Sequence, residues 1–315
     1  MNRCYYWFVL LVLAACTRVT EPEPVSICLR LPTPSVPTRA SDPEEDLISD
    51  YNLLIFNDMG VLEEATYVSA RELSAPGGEL THRTKLLQDA SYWVLAAANL
   101  GYRISFDHLE QALAYRYHMA YSDEYSRGIP MAACLHTTIG DTGRLEVPLQ
   151  RLMARIEVAL DRSALDPEVS MNATLLKLGG CPSSAFLFAP NRVETAAQLF
   201  GSGFIRSGQE VNNLNLDVSL GLSGTVPLYL LENLQGQDAT GRQLTLCAYL
   251  ELRLEYHSPQ WHTRPGRTIG YRLYLGDGFD VHRNTCYRYV ICPVGDGLNA
   301  PDDWTLDREA LLPTE

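Results

Sequence analysis

No cluster of basic residues interrupts the chain: 25 Lys and Arg stand against 38 Asp and Glu, for a formal net charge of −13. That balance argues against nucleic acid as a partner, because phosphate recognition needs a concentrated positive surface. It argues equally against charge-driven attraction to anionic lipid headgroups. A C-x-x-C pair and the Cys/His spacing of a zinc site are also missing, as are H-E-x-x-H, a Walker A loop and G-x-G-x-x-G. The triplet Gly201-Ser202-Gly203 lacks the G-x-S-x-G frame of a nucleophile elbow. With no nucleophile–base or paired-carboxylate signature, nothing here predicts an enzyme, and no cofactor is implied. Disorder is excluded too, since 46% of residues are hydrophobic and only 20% charged.

What is present is period-2 alternation. "VSICLRL" sets Val25, Ile27, Leu29 and Leu31 on one face. "YNLLIFND" and "SYWVLAAANLG" are more continuously apolar; the first runs into the turn signal "NDMG", and the second closes at Asn99 and Gly101. "GDTGRLEVPL", "MARIEVAL", "VPLYLLENL", "TIGYRLYLG" and "CYRYVICPV" are strand-like. In "CAYLELRLEYH" Leu250, Leu252, Leu254 and Tyr256 alternate with Glu251, Arg253 and Glu255, the pattern of a sheet with one wet face. Helical signals are few: a segment from Ser105 as N-cap, with Leu109, Ala112 and Leu113 at helical spacing, and a turn at "VETAAQLF". Many short strands with Gly, Asn and Asp turns predict an all-β sandwich. The candidate boundary lies near Pro148 to Arg151, dividing the chain into domains 25–148 and 149–315, with no visible sequence repeat.

The N-terminus is set aside as an export signal, residues 1–15. Arg3 supplies the positive start, and the apolar run 5–13 is too short to span a bilayer. It ends in Leu13-Ala14-Ala15-Cys16, which resembles the bacterial lipobox, so Cys16 is the expected lipidation site and first mature residue. Two acyl signals there give stable membrane anchoring. Thr17 follows the cysteine, so no aspartate marks inner-membrane retention; Glu21 and Glu23 suit surface display. A lipidated segment 16–39 thus carries the first strand into a Pro-rich stretch, with Pro32, Pro34 and Pro37 ahead of Arg39 and Ala40.

Six further cysteines (Cys28, Cys134, Cys181, Cys247, Cys286 and Cys292) read either as small buried strand residues or as partners in cross-strand disulfides. Cys286 and Cys292 cannot bond each other, lying on one strand about 20 Å apart. Asp277 and Asp280 can be calcium ligands or plain turn residues. His257 and His262 flank a Pro-containing loop that reads as solvated. Glu232 and Asn233 in "ENLQG" suit backbone capping, and Asn284 in "HRN" a tight turn; Trp261 and Trp304 fall in loops where an aromatic platform for glycan is the alternative use.

Taken in order, Cys16, "TRA", "YNLLIFNDMGVLEEATYV", "YWVLAAANLG", "RLMARIEVAL", "LYLLENLQG", "YRLYLGDGFDVHRNTCYRYVICPVGDG" and the final "DDW" resemble the fimbrillin superfamily of Bacteroidia, the lipoprotein-derived subunits of type V pili. The resemblance covers nearly all of the chain after the signal. It implies two tandem transthyretin-like β-sandwich domains with a few short helices, no enzymatic activity, and an outer-membrane lipoprotein that reaches the cell surface and the fimbrium. In that family an arginine-specific protease cuts after the first strand, and a strand from another fimbrial subunit fills the groove. Carried over, Val25, Ile27, Leu29 and Leu31 form the displaced strand and Arg39-Ala40 the cleavage site. The chain after Val294 is poor in β-branched residues and holds two prolines, resembling a capped end more than a donor. This orders the roles as tip or minor accessory subunit, then membrane anchor retaining its lipid, then stalk. The implied partners are other fimbrial subunits, the outer membrane through Cys16, the protease, and an adhesion ligand on host or bacterium. The alternative from another class is a surface glycan-binding lipoprotein.

Overall fold

The computed structural model describes residues 23–30, 47–73, 79–119, 128–140, 142–191, 211–212, 226–235, 246–259, 267–298 and 311–314. They form an all-β sandwich fold with one six-residue helix, α1 (Leu109–Ala114). No described helix is long and apolar enough to cross a membrane.

The first half builds two facing sheets. Strands β1 (Glu23–Arg30), β4 (Glu79–Leu86) and β8 (Arg144–Pro148) form one, in the order β4-β1-β8. Strands β2 (Tyr51–Asn57), β3 (Leu62–Val68), β5 (Ser91–Ala98), β7 (Met131–Thr138) and β9 (Gln150–Arg151) form the other, in the order β3-β2-β5-β7-β9. Between them lies a core of Val25, Ile27, Leu29, Leu53, Ile55, Val94, Ala96 and Val147.

The second half repeats this plan. Strands β10 (Met153–Leu160), β14 (Val226–Leu231) and β17 (Cys286–Ile291) order as β14-β10-β17. Facing them are β11 (Ser170–Gly179), β13 (Val211–Asn212), β15 (Tyr249–His257), β16 (Arg267–Tyr274) and β18 (Leu311–Thr314), ordered β13-β11-β15-β16-β18. In each three-stranded sheet the centre strand runs antiparallel to one neighbour and parallel to the other. The repeat is therefore one of topology, which the sequence does not display. β15 buries Leu250, Leu252, Leu254 and Tyr256 and leaves Arg253 and Glu255 outside, as its alternation predicts. The chain crosses from one pair of sheets to the other between Gln150, still paired to β7, and Met153, which opens β10.

The continuous apolarity of β2 and β5 has a direct cause. Their second face, Leu54, Phe56, Leu95 and Ala97, is buried as well. It is covered by α1, by strands β6 (Arg116–His118) and β12 (Ser184–Phe186), which pair with each other, and by Leu187, Phe188 and Leu231. A sheet covered on both sides has no need of polar alternation.

Two local expectations change. The N-cap of α1 is His108, not Ser105; Gln111 Oε1 accepts the backbone N–H of His108 at 3.3 Å. The helix also ends after six residues, because Arg116 to His118 are drawn into pairing with Ser184 to Phe186. The end of the chain, expected to resemble a capped end more than a donor strand, contributes β18 to the edge of β16 in its own chain. "VETAAQLF" lies outside the described residues.

Candidate strand-acceptor site

β1 is the centre of its sheet. Its eight residues pair with β4 on one side, Ile27 opposite His82 and Leu29 opposite Leu80. On the other side residues 26–30 run parallel to β8, Ile27 opposite Leu145 and Leu29 opposite Val147. Two bonds extend the ladder at its ends, Ser26 N–H to Gly143 O at 2.8 Å and Leu149 N–H to Arg30 O at 2.9 Å. Val25 is 3% exposed, Ile27 and Leu29 0%. Burying three such side chains is worth roughly 5–9 kcal/mol. The outward Arg30 pairs with Glu146 at 2.6 Å, a contact half in water and of little weight. Cys28, also outward, is nonetheless buried, its sulfur 3.8 Å from Thr81 Oγ1.

Taking β1 away would part β4 from β8 by two strand spacings, about 9–10 Å. The slot would be floored by Leu53, Ile55, Val94 and Ala96 of the opposite sheet. β10 holds the corresponding place in the second sandwich, yet it is tied covalently at both ends within the described fold. Among the described strands β1 comes first, so a single cut in the connection 31–46 frees it from β2. That connection contains one arginine, Arg39, and no lysine. Of the predicted site residues, Val25, Ile27 and Leu29 come together on the core face, while Cys16, Leu31, Arg39 and Ala40 lie outside the described residues.

A polar network missed by the sequence reading lies beside the strand. His82 and Thr84, facing inward from β4, both reach Glu64 on β3 of the opposite sheet. His82 Nε2 donates to Glu64 Oε1 at 3.0 Å, and Thr84 Oγ1 donates to Glu64 Oε2. Thr66 adds a bond at 3.2 Å, and Tyr51 OH lies 3.4 Å from His82 Nδ1. Burial alone would raise the Glu64 carboxyl, but the bonds from Thr84 and His82 and the histidine's charge together hold it below its usual value. The network joins the two sheets at the edge next to β1, and the signal for it was "THRT", polar residues alternating where a core strand should be apolar.

The other candidate residues are structural. Glu232 Oε1 accepts the backbone N–H of Arg283 at 3.1 Å, and Asn233 Nδ2 donates to Gly180 O and Leu246 O, so both cap backbone groups. Asn284 has φ 55°, the tight-turn conformation expected of it. Asp277 and Asp280 exchange backbone hydrogen bonds across a hairpin turn whose centre, Gly278 and Phe279, has positive φ. Among the described residues no group of three or more His, Cys, Asp or Glu side chains could hold a metal. The six cysteines from Cys28 to Cys292 form no disulfide with one another. His262, Trp261 and Trp304 lie outside the described residues.

The fold and site thus define a protein of two successive β-sandwich units whose first described strand is buried at the centre of its sheet. No protein-family model and no curated protein sequence matches the chain. Solved structures do. A protein from Parabacteroides distasonis assigned to cell adhesion is 12% identical, with a TM-score of 0.60 over 88% of this chain and 90% of that one. The tip fimbrial protein Mfa3 from Porphyromonas gingivalis, truncated at its C-terminus, is 17% identical, with a TM-score of 0.56 over 85% and 94%. A fimbrillin, FimA, from Porphyromonas gingivalis is 12% identical, with a TM-score of 0.54 over 88% and 92%. The chain has a fimbrillin-like fold.

Proposed function

We propose that this chain is a structural, non-catalytic subunit of a cell-surface fimbria, acting at the tip or as a minor accessory component. On this reading it is exported, acylated on Cys16 and carried to the outer membrane. An arginine-specific protease then cuts after Arg39, and a strand from another subunit takes the place of β1. The two domains are 25–148 and 149–315, and the first is the acceptor. The observation that carries the reading is the position of β1: it is buried, paired on both edges, and severable by one cut in a connection holding a single arginine. Main-chain pairing supplies the affinity for the replacement strand, and alternate pockets supply its register. β18 supports the receiving role, because it closes the edge of β16 on its own subunit. The likeness to fimbrial and adhesion proteins points the same way.

The test is intact-mass measurement after treatment of the folded chain with an arginine-specific protease. The expected product begins at Ala40 and is lost in Arg39→Ala. A folded chain that shows no discrete cut at Arg39 would count against the processed-subunit reading.

A further inference from the structure

Between the two sandwiches lies a cleft of about 690 Å3, within the range of small-molecule sites. Its apolar wall comes from Trp93 on β5, Leu113 on α1, and Leu187 and Phe188 after β12. Gln150, Asn191, Glu232, His282 and Arg283 supply the polar rim.

Two features distinguish this cleft from a packing defect. The first is that its aromatic residue is held in place from behind. The Trp93 ring stacks on His136, centroids 4.4 Å apart and planes 19° apart, and His136 Nε2 meets Asp58 Oδ1 at 3.0 Å. A carboxylate thus orients an imidazole, which orients the indole. The second is that the charges cancel. The charged lining is one pair, Glu232 with Arg283 Nε at 2.9 Å, and Arg283 Nη2 donates to Phe186 O at 3.0 Å. An anionic ligand meets no uncommitted cation, and a cationic one meets a carboxylate already matched. Cys134 adds no reactivity, since burial pushes its thiol up to about 11 and keeps it protonated.

What remains is a set of hydrogen-bonding groups around a charge-balanced pair. Gln150 has an exposed amide and His282 a half-exposed imidazole; Asn191 donates to Glu232 Oε2 at 2.7 Å and keeps a second N–H, and Glu232 Oε1, which accepts from Arg283 N–H at 3.1 Å, keeps one lone pair. Donors and acceptors are interleaved around a rigid aromatic face. A sugar ring fits that chemistry, because its hydroxyls both donate and accept while its C–H face stacks on an indole. We propose that this cleft binds a neutral saccharide, with Trp93 as its platform and Gln150, Asn191, Glu232 and His282 as its hydrogen-bonding rim. None of these residues belongs to β1 or its groove, so the site is independent of cleavage at Arg39.

The full chain in detergent is screened on an array of neutral, sialylated and sulfated glycans, and bound glycans are titrated by calorimetry. Neutral glycans are expected to bind. Trp93→Ala and Gln150→Ala should each weaken binding about tenfold or more, which is about 1.4 kcal/mol. Gln150→Ala should leave the melting temperature unchanged, which separates lost contacts from lost fold, and Trp261→Ala should bind as wild type. The proposal is overturned by an absence of neutral binders, by binding confined to anionic glycans, or by binding that survives Trp93→Ala with Gln150→Ala. Loss on Trp261→Ala instead would place the platform elsewhere.

Discussion

Replacing Ile27 by alanine should weaken the hold on β1 specifically. Ile27 is 0% exposed and sits between β4 and β8. Removing its outer carbons loses transfer energy and leaves a cavity, costing about 2–5 kcal/mol. At about 3 kcal/mol the intact chain should melt about 6–12 °C lower. The more telling consequence comes after cleavage. Once Arg39 is cut, β1 is a bound peptide, and the same 3 kcal/mol weakens its retention more than a hundredfold. Ile156→Ala is the control: Ile156 is equally buried, on the corresponding β10, and stays attached. It should lower the melting temperature by a similar amount while leaving release of the N-terminal fragment unchanged. Native mass spectrometry of the cut protein over time measures that release. Equal release from Ile27→Ala and wild type, or equal acceleration by Ile156→Ala, would mean that core contacts of β1 do not set its retention.

Glu64 is held below its usual value near 4.5 in the folded state, so its contribution is present above that pH and lost as pH falls through the folded value. Glu64→Gln should therefore flatten the acid limb of the stability curve measured by urea denaturation between pH 6 and 3. Glu157 is buried between Arg155 at 2.8 Å and Arg288 at 2.8 Å; Glu157→Ala should destabilise the second sandwich by about 3 kcal/mol or more in calorimetry, with β1 release unaffected. Gly180 has φ 61°, and a Cβ there would run into the Cys247 carbonyl; Gly180→Ala should cost about 1–3 kcal/mol by thermal melting.

Much of the fold was legible where one physical demand acted alone. β15 meets water on one face and core on the other, so its alternation names its buried residues directly. β2 and β5 read as buried strands, though only the structure shows what covers their second face, since α1 is joined there by β12 and Leu231, distant in sequence. β4 carried no apolar pattern because two of its inward positions, His82 and Thr84, are spent on Glu64. The tandem arrangement left no period in the sequence because it is a matter of strand order, and only the family resemblance implied it. At the acceptor site the apolar face of β1 was plain from four alternating residues, but its central place in the sheet depends on partners about 50 or more positions away. The cleft had no sequence signal: Trp93 reads as one more core aromatic of a buried strand.

Whether β1 is a replaceable strand is decided by strand replacement. A labelled peptide of residues 23–30 is offered to the folded chain before and after cleavage at Arg39, and uptake is counted by native mass spectrometry. The intact chain should take up no peptide, the cut chain one, and neither should take up a peptide carrying Ile27→Asp. Uptake by the intact chain, or a cut chain that never exchanges its strand, would contradict that expectation.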